Sequence, residues 1–415
     1  MRKKMKKNFM SILGFLVVAM IVAASVGLNG CKNPVTASLY NPNQGYLPNP
    51  VIDSLTPSGS ALAGIDTVTI YGKNFVADKD SELVYFIESD GRSNEVSTPS
   101  IISATPTRLT VVAPALSGDS IQVRVAVYGA LLYGIKMYSL APAVAQFGGI
   151  SSSQVAYSVC AGADSSLYIA LTSSNVDRGI FKMTATGATS YAPATPGLIG
   201  WSALRFGSGG YLYAVRGNRA IYRFPAGGNA AAQVWVSASS GSFNDIDFDA
   251  NENLWVAGTG GKIYMITPGA SQKSFPFSGS VSAVRYYNGY LYIAANQGTA
   301  TSHIYRAPVV NDSLGTAEDY FDLSSDPSGG RNIYALTFSA DGNMYVGVDS
   351  SDYLIVVRPG GQIERPYSPY VASGVLNSSC KSFTWIGTYL YASTLSGELL
   401  QIVPRKEGAP YYGIQ

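Results

Sequence analysis

The chain is 415 residues long, 47% hydrophobic and only 13% charged, with 44 Gly, 29 Tyr, one His and three Cys. Five of its 28 basic residues, Arg2, Lys3, Lys4, Lys6 and Lys7, fall in the first seven positions, so the remainder holds fewer basic residues than the 26 Asp and Glu. That balance excludes a basic nucleic-acid surface, and the cysteines lack the spacing of a metal site.

The basic cluster precedes an uncharged, mostly apolar run from Phe9 to Leu28, the build of a secretion signal. The run is also long enough to span a bilayer, so its end decides between a cleaved signal and a retained span. Leu28-Asn29-Gly30-Cys31 resembles the lipobox of bacterial lipoproteins, with Leu three residues before Cys and a small residue directly before it. Asn29 departs from the small residues commoner at its position. The resemblance implies a signal peptide over 1–30, lipid attachment at Cys31, and a membrane association by lipid anchor in the cell envelope, at the outer membrane or cell surface. Lys32 is not the Asp that retains some lipoproteins at the inner membrane. Residues 31–50 carry Pro34, Pro42, Pro48 and Pro50 among Asn, Gly and Ser, as a flexible tether does.

Residues 51–141 alternate apolar and polar positions in short runs broken by Gly, Pro, Asp and Ser, which predicts an antiparallel sandwich. The blocks Val51-Ile52-Asp53-Ser54-Leu55-Thr56-Pro57, Val68-Thr69-Ile70-Tyr71-Gly72-Lys73-Asn74-Phe75 and Thr107-Arg108-Leu109-Thr110-Val111-Val112-Ala113-Pro114 look like the signature blocks of IPT/TIG domains. In this reading Gly72 permits a turn and Phe75 plugs an immunoglobulin-like sandwich. Ala63-Gly64-Ile65 replaces the Gly pair usual before the second strand. The resemblance implies a spacer or binding module.

From residue 143 to 415 one block recurs six times, at Leu167-Tyr168, Leu212-Tyr213, Leu254-Trp255, Leu291-Tyr292, Met344-Tyr345 and Leu390-Tyr391. Intervals of roughly 37 to 53 residues are those of propeller blades, and the chain is expected to be all-β throughout. The fifth repeat, Leu336-Thr337-Phe338-Ser339-Ala340-Asp341-Gly342-Asn343-Met344-Tyr345-Val346, resembles six-bladed NHL-repeat and gluconolactonase-like propellers most closely. The last blade stops near Val403, so Val144-Ala145-Gln146-Phe147 is expected to supply its outer strand and remove the open sheet edges. Ring closure would also bring Cys160 and Cys380 near each other, as a disulfide or, in the preferred reading, as two buried free thiols.

The residues available for chemistry are few. His303 opens the third strand of blade four with no partner pattern around it. Gluconolactonase-like propellers hold a divalent metal with carboxylates and an Asn on inner strands, and only Asn244-Asp245-Ile246-Asp247-Phe248-Asp249 offers such a cluster. The other first strands read as apolar or hydroxylated, so no metal cage and no other cofactor is expected. Asp177, Asp349 and Asp352 read as loop residues with turn roles. Trp201, with Arg216, Asn218 and Arg219 in a loop on the same face, is the candidate ligand-binding set, suited to a sugar or peptide surface. The reading is a non-catalytic envelope protein whose propeller binds a protein partner or glycan. A metal-dependent lactonase or lyase and a structural scaffold are the alternatives.

Overall fold

A computed structural model describes residues 45–88, 96–97, 99–195, 199–368, 371–372 and 374–413. The expected secretion signal, Cys31 and the expected tether as far as residue 44 lie outside the described residues. The described residues from 49 onward form one compact unit whose regular structure is almost all strand.

The first part is an immunoglobulin-like sandwich of two sheets. Strands β1 (Val51–Thr56), β3 (Thr67–Lys73), β7 (Arg108–Val112) and β6 (Ile101–Thr105) form one. Strands β2 (Ser60–Leu62), β9 (Gly134–Ala141), β8 (Gly118–Val127), β4 (Glu82–Glu88) and β5 (Val96–Ser97) form the other, with β2 parallel to β9. Alternate residues such as Val68, Ile70, Val84, Phe86, Leu109, Val123 and Val125 meet in one core, the period that a half-buried strand requires. Phe75 is buried there as expected. Gly72 acts differently from expectation: it lies inside β3 rather than in a turn, and a Cβ would stand 2.0 Å from the Val51 carbonyl oxygen and 2.4 Å from the Phe75 ring. Glycine is needed here because neighbouring backbone and ring come too close for any side chain.

The Ala63-Gly64-Ile65 departure lies where the sandwich meets the second part of the molecule. Gly64 has φ +72°, and a Cβ on it would stand 2.9 Å from Val371 Cγ1. Ile65 packs against the apolar cluster of the last two blades. Next to it Asp66 accepts the Leu62 amide at 2.6 Å and pairs with Arg405 Nη2 at 2.7 Å.

The second part is a six-bladed propeller. The innermost strands are Val155–Ala161, Ala203–Phe206, Ser242–Phe248, Ser280–Tyr287, Ile333–Phe338 and Cys380–Ile386, for blades one to six in order. Six apolar clusters among the described residues lie one between each neighbouring pair of blades. The aromatic of every repeated block, Tyr168, Tyr213, Trp255, Tyr292, Tyr345 or Tyr391, is buried in one of them. These rings therefore set blade spacing, which is why the repeat keeps an aromatic.

Strand β10 (Val144–Gln146) comes from before the first blade and pairs antiparallel with Leu399–Ile402 of the last. Val144 lies opposite Ile402 and Gln146 opposite Leu400, and the Phe147 amide donates to the Leu399 carbonyl. Cys160 and Cys380 are both buried free thiols, and burial pushes the Cys160 thiol up to about 12. Replacing 144–147 by a Gly-Ser segment of equal length leaves blade six with three strands and an open edge. The expected result is a broadened, lower-temperature propeller transition by calorimetry, and an unchanged melting curve would show that this strand does not close the ring.

Candidate functional site

Aligning the six blades on their repeated aromatic locates the channel wall. Directly opposite Tyr168, Tyr213, Trp255, Tyr292, Tyr345 and Tyr391 stand Cys160, Arg205, Asp247, Arg285, Thr337 and Thr384. All six line one cavity on the propeller axis. The expectation that the first strands beside blade three are apolar or hydroxylated is corrected here, since blades two and four each contribute an arginine.

The two arginines take up the carboxylates of blade three. Arg205 Nε lies 3.3 Å from Asp247 Oδ1, and Arg285 Nη1 lies 2.9 Å from Asp245 Oδ2. The remaining acceptor capacity meets backbone: Val284 N–H donates to Asp245 and Tyr286 N–H to Asp247. Burial pushes the Asp247 carboxyl up, while Arg285 and Arg205 pull it back down. An isolated charge here would be unstable, so the buried pairs neutralise one another. Among the described residues no group of three or more His, Cys, Asp and Glu is placed to hold a metal.

On one side of this lattice the chain's last segment closes the channel. The Tyr411 hydroxyl donates to the Phe206 carbonyl at 2.6 Å, the Ala409 amide donates to the Phe338 carbonyl, and the Tyr412 ring stands edge-on to Tyr286. The cavity between has a volume of about 100 Å³, room for ordered water and well short of a ligand pocket.

At the other end the innermost strands share a second feature. Five of them carry a β-bulge at one register, which leaves Tyr157, Asn244, Ser282, Tyr334 and Lys381 outside the ladder. In blade two the equivalent position is Ser202. Bulges re-aim side chains, and here they do so at one level around the ring. All six residues are half-buried. Ser202 and Ser282 donate their hydroxyls to the Val215 and Ala294 carbonyls, and Asn244 Nδ2 donates to the Val281 carbonyl. With their donors used inward, their oxygen lone pairs remain for a hydrogen-bond donor.

Lys381 differs from the rest of this level. Its ammonium lies 4.2 Å from the centroid of the Tyr157 ring, in cation–π range. Among the described residues it forms no ion pair. Burial pulls its pKa down to about 8.

The candidates read from sequence lie elsewhere. Trp201 is fully buried, with the Arg216 guanidinium 3.2 Å from its ring centroid and Tyr222 edge-on at 5.1 Å. Arg216 is itself 2% exposed, and burial lowers its pKa against the pull of Asp177. Asn218 donates to the Tyr222 hydroxyl and accepts the Ala220 amide, so it organises its own loop. The structure thus unites Trp201, Arg216 and Asn218 as packing at the junction of blades one and two, while Arg219 alone is exposed. His303 meets Asp319 at 2.8 Å on the outer strand of its own blade. Asp349 and Asp177 accept nearby backbone amides, and Asp352 pairs with Arg365. Arg205, Arg285 and Lys381 were missed, although Arg205 and Arg285 stand eight and seven residues before the repeated aromatic of their own blades.

Residues 50–140 match the IPT/TIG domain family. No curated protein matches the chain significantly. Among solved structures, an auxiliary nutrient binding protein from Bacteroides thetaiotaomicron is similar with a TM-score of 0.51 at 11% identity, over 88% of this chain and 98% of that one. A protein of unknown function from the same organism is similar at 0.46 and 15% identity, over 88% and 99%. A gluconolactonase from Xanthomonas campestris is similar at 0.48 and 13% identity, over 70% and 92%. At these identities the likeness is one of fold.

The ion-pair lattice predicts a specific pattern of stability. Asp247→Asn keeps an acceptor for the Tyr286 amide but strands Arg205 as a buried charge, and should cost about 3–5 kcal/mol in urea unfolding. Adding Arg205→Met should recover most of that loss, and equal instability of the single and double variants would contradict the pairing.

Proposed function

We propose that the chain is a lipid-anchored envelope protein that uses the open mouth of its propeller to bind a hydroxyl-rich ligand bearing an anionic group, an acidic glycan above all. The observation that carries the reading is Lys381, a half-buried cation set over Tyr157 without a carboxylate partner among the described residues. A ligand anion would supply the missing charge, and ligand hydroxyls would donate to Ser202, Asn244 and Ser282. Tyr157 and Tyr334 add ring faces of the kind sugars use.

The hydrolytic alternative draws no comparable support. Asp245 and Asp247, the carboxylates it needs, are taken up by arginines and backbone amides. The similar nutrient binding protein spans both parts of this chain, which agrees with a binding role for the pair of domains together. Anchoring rests on the sequence Leu28-Asn29-Gly30-Cys31.

Two measurements test this reading. Calorimetric titration with acidic and neutral oligosaccharides should favour the acidic set, and Lys381→Met should weaken that preference by about tenfold or more, the worth of one charged hydrogen bond. Because the lysine is charged only below its pKa of about 8, affinity should hold at pH 7 and fall from pH 8 upward. No acidic preference, or affinity flat to pH 10, would refute the site. Separately, labelling with radioactive palmitate in cells should mark the chain, and Cys31→Ser should abolish the label; an unlabelled wild type would remove the anchor.

A further inference from the structure

The outward face of the five-stranded sheet departs further from apolar-polar alternation than that of the four-stranded sheet does. On the four-stranded sheet the outward positions mix Thr67, Thr69, Lys73, Arg108 and Thr110 with the exposed apolar Val51, Tyr71 and Val112. On the five-stranded sheet the outward positions of two strands are apolar, Leu83, Tyr85 and Ile87 on β4 and Ile135 and Met137 on β9, while β8 between them carries Gln122, Arg124 and Ala126. The register makes them contiguous, since Leu83 faces Ala126, Tyr85 and Ile135 flank Arg124, and Ile87 and Met137 flank Gln122. The β8–β9 hairpin extends this face with Tyr128 83%, Leu131 65% and Leu132 64% exposed. A contiguous exposed apolar face of this kind marks an interaction surface.

Charge and chain direction identify what it meets. The tip, Tyr128-Gly129-Ala130-Leu131-Leu132-Tyr133, holds no charge, and no acidic residue occurs between Tyr128 and Tyr138. The face's central charge is Arg124, which lies 4.7 Å over the Tyr133 ring. Leucines at a tip, tyrosines beside them and a basic group behind are the composition that bilayer interfaces favour. Asn49, where the compact unit begins, is bound to this same tip, its Oδ1 accepting the Leu132 amide at 3.0 Å. Eighteen positions separate Asn49 from Cys31, few enough to keep this tip near a lipid attached there.

We propose that the hairpin tip and the outward face of β4, β8 and β9 dock on the bilayer interface, so that the sandwich lies against the membrane instead of swinging free on its tether. The orientation rests on the anchoring reading, whereas the surface chemistry does not. Membrane docking would leave the propeller as the part offered to ligands.

The test uses residues 49–415, which contain every strand of both domains and their closed cores and carry no lipid. In density-gradient flotation with vesicles of phosphatidylethanolamine and phosphatidylglycerol, this unit should rise with the lipid. Leu131→Ser combined with Leu132→Ser should cut the floated fraction roughly tenfold with an unchanged melting curve, while Tyr71→Ser on the other sheet should leave it unaltered. Failure of the wild-type unit to float overturns the proposal whatever Cys31 carries, and palmitate labelling reports on the anchor independently. If the unit fails to float and sediments as a dimer that the double substitution dissolves, the face joins copies of the chain, and the proposal is equally overturned.

Discussion

Two carboxylates on one strand, Asp245 and Asp247, hold arginines from the strands on either side, and the character of the propeller channel follows from that arrangement. The pairs tie blades two, three and four together at the axis. They also cancel, so the channel interior is polar yet neutral. A buried charge that lost its partner would cost several kcal/mol, which makes the four residues a unit rather than separate choices. Carboxylates committed in this way are poor metal ligands and poor bases, because their lone pairs already face guanidinium and amide hydrogens.

With the channel interior balanced and one end closed by residues 409–412, the polar side chains left to the channel stand at the opposite mouth. The bulges supply them in five of the six blades by lifting one residue out of the ladder, at a level where the side chains are half-buried. A bulge sacrifices ladder pairing, and its repetition at one register around the ring concentrates re-aimed side chains in one place. Lys381 has the largest consequence there, because burial without a counter-ion lowers the stability of its charged form. The sandwich contributes in a different way, through a fixed contact at Ile65 and Asp66 and an apolar outward face at the far side of its core.

The fold was legible in the sequence because its determinants are periodic. Leu-Tyr blocks at blade spacing announced the repeats, and the missing outer strand of the last blade pointed back to Val144. The site was less legible for a physical reason: ligand-facing residues in a propeller sit at equivalent positions of different repeats, so they never form a local motif. Reading back from each aromatic would have found Arg205 and Arg285. Lys381 was hidden further, because a bulge shifts register and alternation alone places it on the wrong face. Trp201 drew attention as an aromatic beside guanidinium and amide groups, but in the fold the guanidinium covers the ring and both are packed inside. The outward leucines and isoleucines of β4 and β9 were visible as letters, yet only the pairing register shows that they are contiguous.

The binding role proposed for the propeller mouth turns on Lys381, a cation with no acidic partner among the described residues. Its most direct test is to follow the titration of Lys381 in the isolated chain by carbon-13 resonance of its ε-carbon, assigned with Lys381→Arg. A midpoint near 8 is predicted. A midpoint at the ordinary value of 10.5 would mean that the ammonium is solvated or paired, and would contradict the account.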